Sequence, residues 1–304
     1  MVRSCRPGQI LVGATVLSMV SFIPVGVAHA APGGGSAGPA TKSCDPLVEF
    51  DRERFGNATT IDNTFLPMTP GTRLTYEGRV AGSGPHQIVF TVTNLVKEVD
   101  GVTNRVIYDV DRSDGEVTEA ELAFFSQDDE GNVWNLGEYP EEYDAGKFSG
   151  APNVWISGLE KATGGIHMRA HPEDHVNGKE YLQGRAPEID FLDCARIADK
   201  NGTADVPAGT FTDVLTTYER SPLESTTAIQ TKEHAPGVGI VRIDALNDPE
   251  AEVVDLVSIE HLHGKDLREI DDAALDLDKH GHEVSAVYRE TPGLQRDRHG
   301  HADG

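Results

Sequence analysis

The chain has 304 residues, 38% of them hydrophobic, and a formal net charge of −24. Such an excess of carboxylates opposes binding to nucleic acid or to anionic lipid surfaces. It suits a soluble extracellular protein, or one that meets cations.

Residues 1–30 read as a secretory signal. Arg3 and Arg6 precede a mostly apolar stretch over residues 10–27, which ends in Ala28-His29-Ala30. Cleavage is expected after Ala30, and the expected location is secreted, or extracellular. The competing reading is an uncleaved anchor. Pro24 and the small-residue exit disfavour it, so no stable membrane insertion is expected after cleavage. Cys5 lies in the charged start and not at the cleavage point, so it is not a lipid-attachment cysteine. Residues 31–46 are a flexible linker by composition. Gly34-Gly35-Ser36-Ala37-Gly38 matches G-x-S-x-G, but a glycine linker supplies neither the strand nor the helix that a nucleophile elbow needs. The remaining cysteines, Cys44 and Cys194, read as a disulfide in an oxidising compartment.

A β domain is expected over residues 47–263. The runs "TRLTYEGRV", "HQIVFTVTNLVKEV", "TNRVIYDVDRS", "EVTEAELAFFSQ" and "NVWNLGEY" follow one another with short turn signals between them. Asp100-Gly101 and Asp114-Gly115 are strong hairpin signals, because both turn residues accept positive φ. Residues 149–204 are looser, with possible short helices. A second strand group begins near Thr212: "TDVLTTYERS", "TTAIQTKEH", "GIVRIDAL" and "EVVDLVSIEHL". About nine or ten strands without βαβ alternation predict a mainly β fold, a large curved antiparallel sheet closed as a half-barrel or a barrel. Residues 264–304 are expected to hold an amphipathic helix, with Leu267, Ile270, Ala274 and Leu277 at helical spacing, and then a His-containing tail.

Four segments carry a resemblance: "DNTFLPMTPGTRLTYEG", "FFSQDDEGNVWNLGEYPEEY", "VPAGTFTDVLTT" and "HAPGVGIVRI". Over about residues 60 to 260 they are similar, in order, to the recurring segments of a group of uncharacterised secreted bacterial β-rich proteins. Those segments are a Pro-Gly-Thr strand start, a Gln-Asp-x-x-Gly-Asn-Val-Trp hairpin, a Val-Pro-Ala-Gly-Thr-Phe turn and an Ala-Pro-Gly-Val-Gly turn. They are turn and packing motifs, so the resemblance implies a fold and no reaction. The pattern more distantly resembles the curved sheets of periplasmic lipoprotein carriers, which hold acyl chains on a concave face; this is analogy at the level of the fold.

The stretch "DVDRSDGEVTEAEL", residues 109–122, has the look of a calcium loop. An EF-hand needs Gly at its sixth position and Glu at its twelfth. With Gly115 sixth, Glu121 is twelfth, but Val110 and Arg112 then stand where carboxylates must be. With Asp109 first, Asp114 is sixth and Ala120 twelfth. Neither register works, and Asp114-Gly115 is read as a hairpin turn. The neighbouring acids are then expected on the solvent face, opposite Val106, Tyr108 and Val110; an edge cluster of this kind can bind calcium only loosely. His167, His171 and His175 are spaced for one helix face, but Pro172 prevents a helix from running through them, and H-E-x-x-H is not met. Loop histidines in solvent are the default there.

His261-x-His263, His280-x-His282 and His299-x-His301 recur every 19 residues, the last two in matching context. The pairs His280, His282 and His299, His301 can offer imidazoles to Zn, Cu or Ni. No catalytic set is recognisable. The leading expectation is a secreted, non-enzymatic β protein that binds an apolar ligand or a protein partner on its concave sheet, with Tyr108, Phe124, Trp134, Leu136 and Trp155 as candidate lining. The competing expectations are an extracellular metal binder using the C-terminal histidines, and a hydrolase whose site has no recognisable motif.

Overall fold

A computed structural model of the protein describes residues 43–80, 84–223, 227–248 and 252–297. Its β-strands in chain order are β1 (Thr72–Val80), β2 (Pro85–Val99), β3 (Val102–Ser113), β4 (Glu116–Gln127), β5 (Val133–Asp144), β6 (Lys147–Gly150), β7 (Trp155–Ile156), β8 (Thr163–Met168), β9 (Tyr181–Ala186), β10 (Phe191–Val206), β11 (Gly209–Arg220), β12 (Ile229–Ala235), β13 (Gly239–Leu246), β14 (Glu252–His261) and β15 (Gln295–Arg296). One long helix, α1 (Gly264–Val284), follows β14. The strands run in the order β1-β14-β13-β12-β11-β10-β9-β8-β5-β4-β3-β2, and β2 pairs back with β1. The ring is therefore a closed antiparallel barrel. Strands β6 and β7 attach to β5, and β15 attaches to β2.

Turn chemistry sets this meander. Asp100 (φ 49) with Gly101 (φ 76), and Asp114 (φ 53) with Gly115 (φ 83), hold the left-handed conformation that a tight hairpin requires. The Asp128 carboxylate accepts from the backbone N–H of Glu130 and Asn132 and from Trp134 Nε1 at 3.0, 2.9 and 3.0 Å, which shapes the β4–β5 turn. The ring holds more strands than the sequence pattern suggests. The extra ones, β8, β9 and the first half of β10, fall in the stretch expected to be loose. β8 and β9 are short and carry glycine, and all three stretches are buried on both faces, so alternation is missing there.

The barrel wall separates two apolar cores. Inside the barrel, Leu74, Tyr76, Ile88, Phe90, Val92 and Ile107 belong to a cluster that also holds Ile61, Phe65, Leu66 and Met68. Residues 61–68 plug the end where the β4–β5 and β12–β13 turns lie. Asn63 Nδ2 donates to Gly131 O and Arg169 O at 3.0 and 2.9 Å, and Gly237 N–H donates to Thr64 O at 2.7 Å.

Outside the barrel, Val106, Leu122, Phe124, Trp134 and Leu136 pack with Ala274, Leu277 and Tyr288 from the C-terminal segment. Helix α1 is fastened by polar groups. Lys97 Nζ meets Asp278 Oδ1 at 3.0 Å, and Tyr288 donates to the same oxygen at 2.7 Å. Asp271 Oδ1 accepts from Asn94 N–H at 2.9 Å. The buried side of the helix is Asp271, Ala274, Leu277, Asp278 and Gly281; Leu267 and Ile270 are only half-buried. The expected disulfide, Cys44–Cys194, is formed, with an S–S distance of 1.97 Å.

Candidate functional site

The opposite end of the lumen is built from acids. Strands β2, β3, β4 and β14 each turn alternate side chains inward. On β2 these are His86, Ile88, Phe90 and Val92; on β14 they are Glu252, Val254 and Leu256. On β3 and β4 the inward positions next to Ile107 and Ala123 are Asp109, Asp111, Glu121 and Glu119, and all four are buried. The hairpin register sets Asp109 directly across from Glu121 and Asp111 directly across from Glu119. Like charges directly opposite on one face of a sheet destabilise it.

This overturns the expectation that these acids face solvent. The alternation is as read, but the faces are exchanged. Val106 and Val110 point outward and are nonetheless buried, while Tyr108 packs at the edge of the outer core. A strand in this wall has two buried faces, so period alone does not say which face holds the charge.

His86, Asp111 and Glu252 meet at the mouth of this layer. They are 3%, 2% and 1% exposed, and one ligand atom from each lies within 4.8 Å of the others. His86 Nε2 is 2.7 Å from Glu252 Oε1 and 4.0 Å from Asp111 Oδ2. The other ring nitrogen, Nδ1, is 3.2 Å from Ser113 Oγ. Burial disfavours the charged imidazole, but contact with Glu252 outweighs it and holds the His86 pKa above its ordinary value. Burial, and then Asp111, holds the Asp109 carboxyl well above the usual range. Burial, and then Glu121, does the same to Glu119.

A second polar group lies further around the wall. Lys232 Nζ pairs with Glu219 Oε2 at 2.5 Å, and both are buried. Glu138 accepts from Trp155 Nε1 at 2.9 Å and Asn135 Nδ2 at 2.6 Å. Burial nevertheless pushes its pKa up to about 7. His167, also buried, stands edge-on to Phe125 at 5.5 Å, and burial holds its pKa well below the ordinary value.

The residues expected to line a concave ligand face are separated by the wall. Phe124, Trp134 and Leu136 lie in the outer core, where they are fully covered, and Tyr108 lies at its margin. Trp155 alone joins the inner core, stacked on Phe191 at 5.2 Å. The curved face these four were assigned to is thus the convex, helix-covered side, because α1 buries what the sheet turns outward. A small groove open to solvent adjoins Trp155, lined also by Val154, Ile156, Ala186, Ile189 and Val287.

Of the histidines, His280 Nδ1 is 2.7 Å from Glu141 Oε1, a carboxylate that also accepts from the Tyr139 hydroxyl. His282 lies against Tyr288, with ring centroids 5.0 Å apart. His299 and His301 lie outside the described residues. Among the described residues, His86, Asp111 and Glu252 are the group of metal-ligating side chains that converges. His86 and Glu252 escaped the sequence reading. Each stands alone at a strand start, and 166 positions of chain separate them. The nearest signal was the alternating acids beside Asp114-Gly115.

No family model and no curated protein matches the chain. Two solved structures are similar. One is a protein described only as exported, with a YmcC-like fold, from Bacteroides fragilis; it has 15% identity and a TM-score of 0.36, covering 65% of this chain and 99% of the other. The other is a protein described only as a lipoprotein, from Parabacteroides distasonis; it has 17% identity and a TM-score of 0.32, again covering 65% and 99%.

Proposed function

We propose that the protein is an exported, non-catalytic binding barrel that takes a cationic ligand at the acid-lined end of its lumen. The observation that carries this reading is the pair of cross-strand acid contacts, Asp109 with Glu121 and Asp111 with Glu119, buried on one face. A low-dielectric wall lined by one sign of charge concentrates counter-ions. The secretory signal expected over residues 1–30 and the formed Cys44–Cys194 bridge support export, since disulfides persist in oxidising compartments.

Titration calorimetry at low ionic strength tests the reading, with spermidine and a divalent ion as probes. The double variant Asp109→Asn, Glu121→Gln should bind at least about tenfold more weakly, roughly 1.4 kcal/mol. Wild-type protein that takes up neither probe, or a variant that binds as the wild type does, overturns it.

The groove beside Trp155 supports a second reading, in which the ligand is apolar. The enclosed space there is far below the roughly 300–1,000 Å³ of pockets that enclose a whole small molecule, so an apolar ligand would lie across an open groove. Saturable quenching of Trp155 fluorescence by a fatty acid, lost in Ile189→Asp, would favour this reading over the first.

A further inference from the structure

Three observations mark the His86 cluster within the acid layer. Its donors are mixed: one imidazole and two carboxylates. Calcium and magnesium prefer oxygen alone, whereas imidazole with carboxylate suits zinc and similar ions. Its spacing is that of a coordination shell. Ligands about 2.0–2.1 Å from a tetrahedral zinc lie about 3.3–3.4 Å from one another. The contacts of His86 Nε2, 2.7 Å to Glu252 and 4.0 Å to Asp111, bracket that value.

Polar accounting is the third observation, shared among the described residues of the layer only by Asp109 Oδ1. His86 Nε2 and Glu252 Oε1 are 2.7 Å apart without the alignment of a hydrogen bond, and Glu252 Oε2 is buried with no hydrogen-bond partner. Buried polar atoms in native proteins are almost always paired. A single cation receiving a lone pair from each residue satisfies them together. The ring is already set for this: Ser113 holds Nδ1 and leaves Nε2 turned toward the two carboxylates. Metal-bound histidines are oriented in this way, through their other nitrogen.

We propose that His86, Asp111 and Glu252 form a site for one divalent transition-metal ion of the zinc type. The inference rests on the cation-binding reading above and narrows it to one ion and three ligands. Three protein ligands leave a tetrahedral ion one open position.

Titration of the whole chain with zinc chloride is the test, run beside His86→Ala, Glu252→Gln and a double variant His299→Ala, His301→Ala. One equivalent should bind to the wild type and equally to the tail variant. Affinity should fall by about 100-fold or more in His86→Ala and about tenfold or more in Glu252→Gln. Cobalt(II) should give the wild type a visible absorption band that His86→Ala lacks. Circular dichroism checks folding; if His86→Ala is unfolded, His86→Gln and Glu252→Gln take its place. Zinc binding unchanged in the folded His86 variant, or lost with the tail histidines instead, overturns the site. Spermidine binding without zinc binding overturns the metal site and leaves the cation reading standing. Failure of both probes overturns both.

Discussion

The two faces of the β2–β5 wall follow the same alternation with opposite contents. Facing out are Val106, Leu122, Phe124, Trp134 and Leu136, in one core with α1 and Tyr288 and, over Trp134, Phe50 and Phe55. Facing in, toward the acid end, are Asp109, Asp111, Glu119 and Glu121. Both faces are dry. The outer one is stabilised by apolar burial and a few well-made polar links. The inner one crowds buried carboxyl groups across from one another, with Asp109 and Glu119 held well above the usual range, and it is the face to which we assign a ligand.

The largest expected effect lies on the outer face. Asp278→Ala leaves Lys97 buried without its carboxylate, and burial already holds the Lys97 pKa below its ordinary value. Removing one partner of a buried pair costs about 3–5 kcal/mol; urea unfolding would measure it. A loss near zero would mean that α1 does not seal the wall. Reducing Cys44–Cys194 should cost about 2–5 kcal/mol in the same assay. That bridge anchors the segment whose Leu47, Val48 and Phe50 also cover the outer core.

Gly281→Ala should destabilise by about 1–3 kcal/mol, although alanine favours a helix. The added Cβ would stand 2.7 Å from Tyr139 Cζ and 2.8 Å from Tyr288 Cδ1. A stabilised variant would show that this contact is loose.

Glu138 gives the inner face a pH signature. Its folded pKa, about 7, lies above the ordinary 4.5, so the folded state binds the proton more tightly. The resulting stability is fully present below pH 4.5 and is lost as pH rises through about 7. Wild type should therefore lose stability relative to Glu138→Gln between pH 5 and about 8. A constant difference between the two proteins across that range would contradict the assignment.

The smallest effect is expected at Asp109. Without added metal, Asp109→Asn removes repulsion from Asp111 and Glu252 and leaves no hydrogen bond of Oδ1 unmade. Thermal unfolding should show a change within about 1 kcal/mol, or a gain. A loss as large as that of Asp278→Ala would erase the contrast between the two faces.

Much of the fold was legible in the chain. Asp100-Gly101 and Asp114-Gly115 announced their hairpins because few residue pairs tolerate two positive φ angles in succession. Three of the four turn segments fell where strands join, and the Pro70-Gly71 segment leads into β1. Cys44 and Cys194 paired as an even pair is expected to in an oxidising compartment. The candidate site was half legible. The acids of residues 109–121 stood out, but their direction did not. His86 and Glu252 carry no local pattern at all, because their meeting depends on β1 lying between β2 and β14.

By itself the sequence determined the period of the strands, the places where they turn and the covalent bridge. Each of these is set within a few residues by φ preferences, side-chain alternation or cysteine count. Only the tertiary structure decided which face is inside. That choice came from barrel closure through β1 and β2, and from a helix that arrives after residue 263 to cover the outer wall. The "DVDRSDGEVTEAEL" hairpin is as the chain spells it, but its carboxylates point into the lumen because the alternative face was already buried.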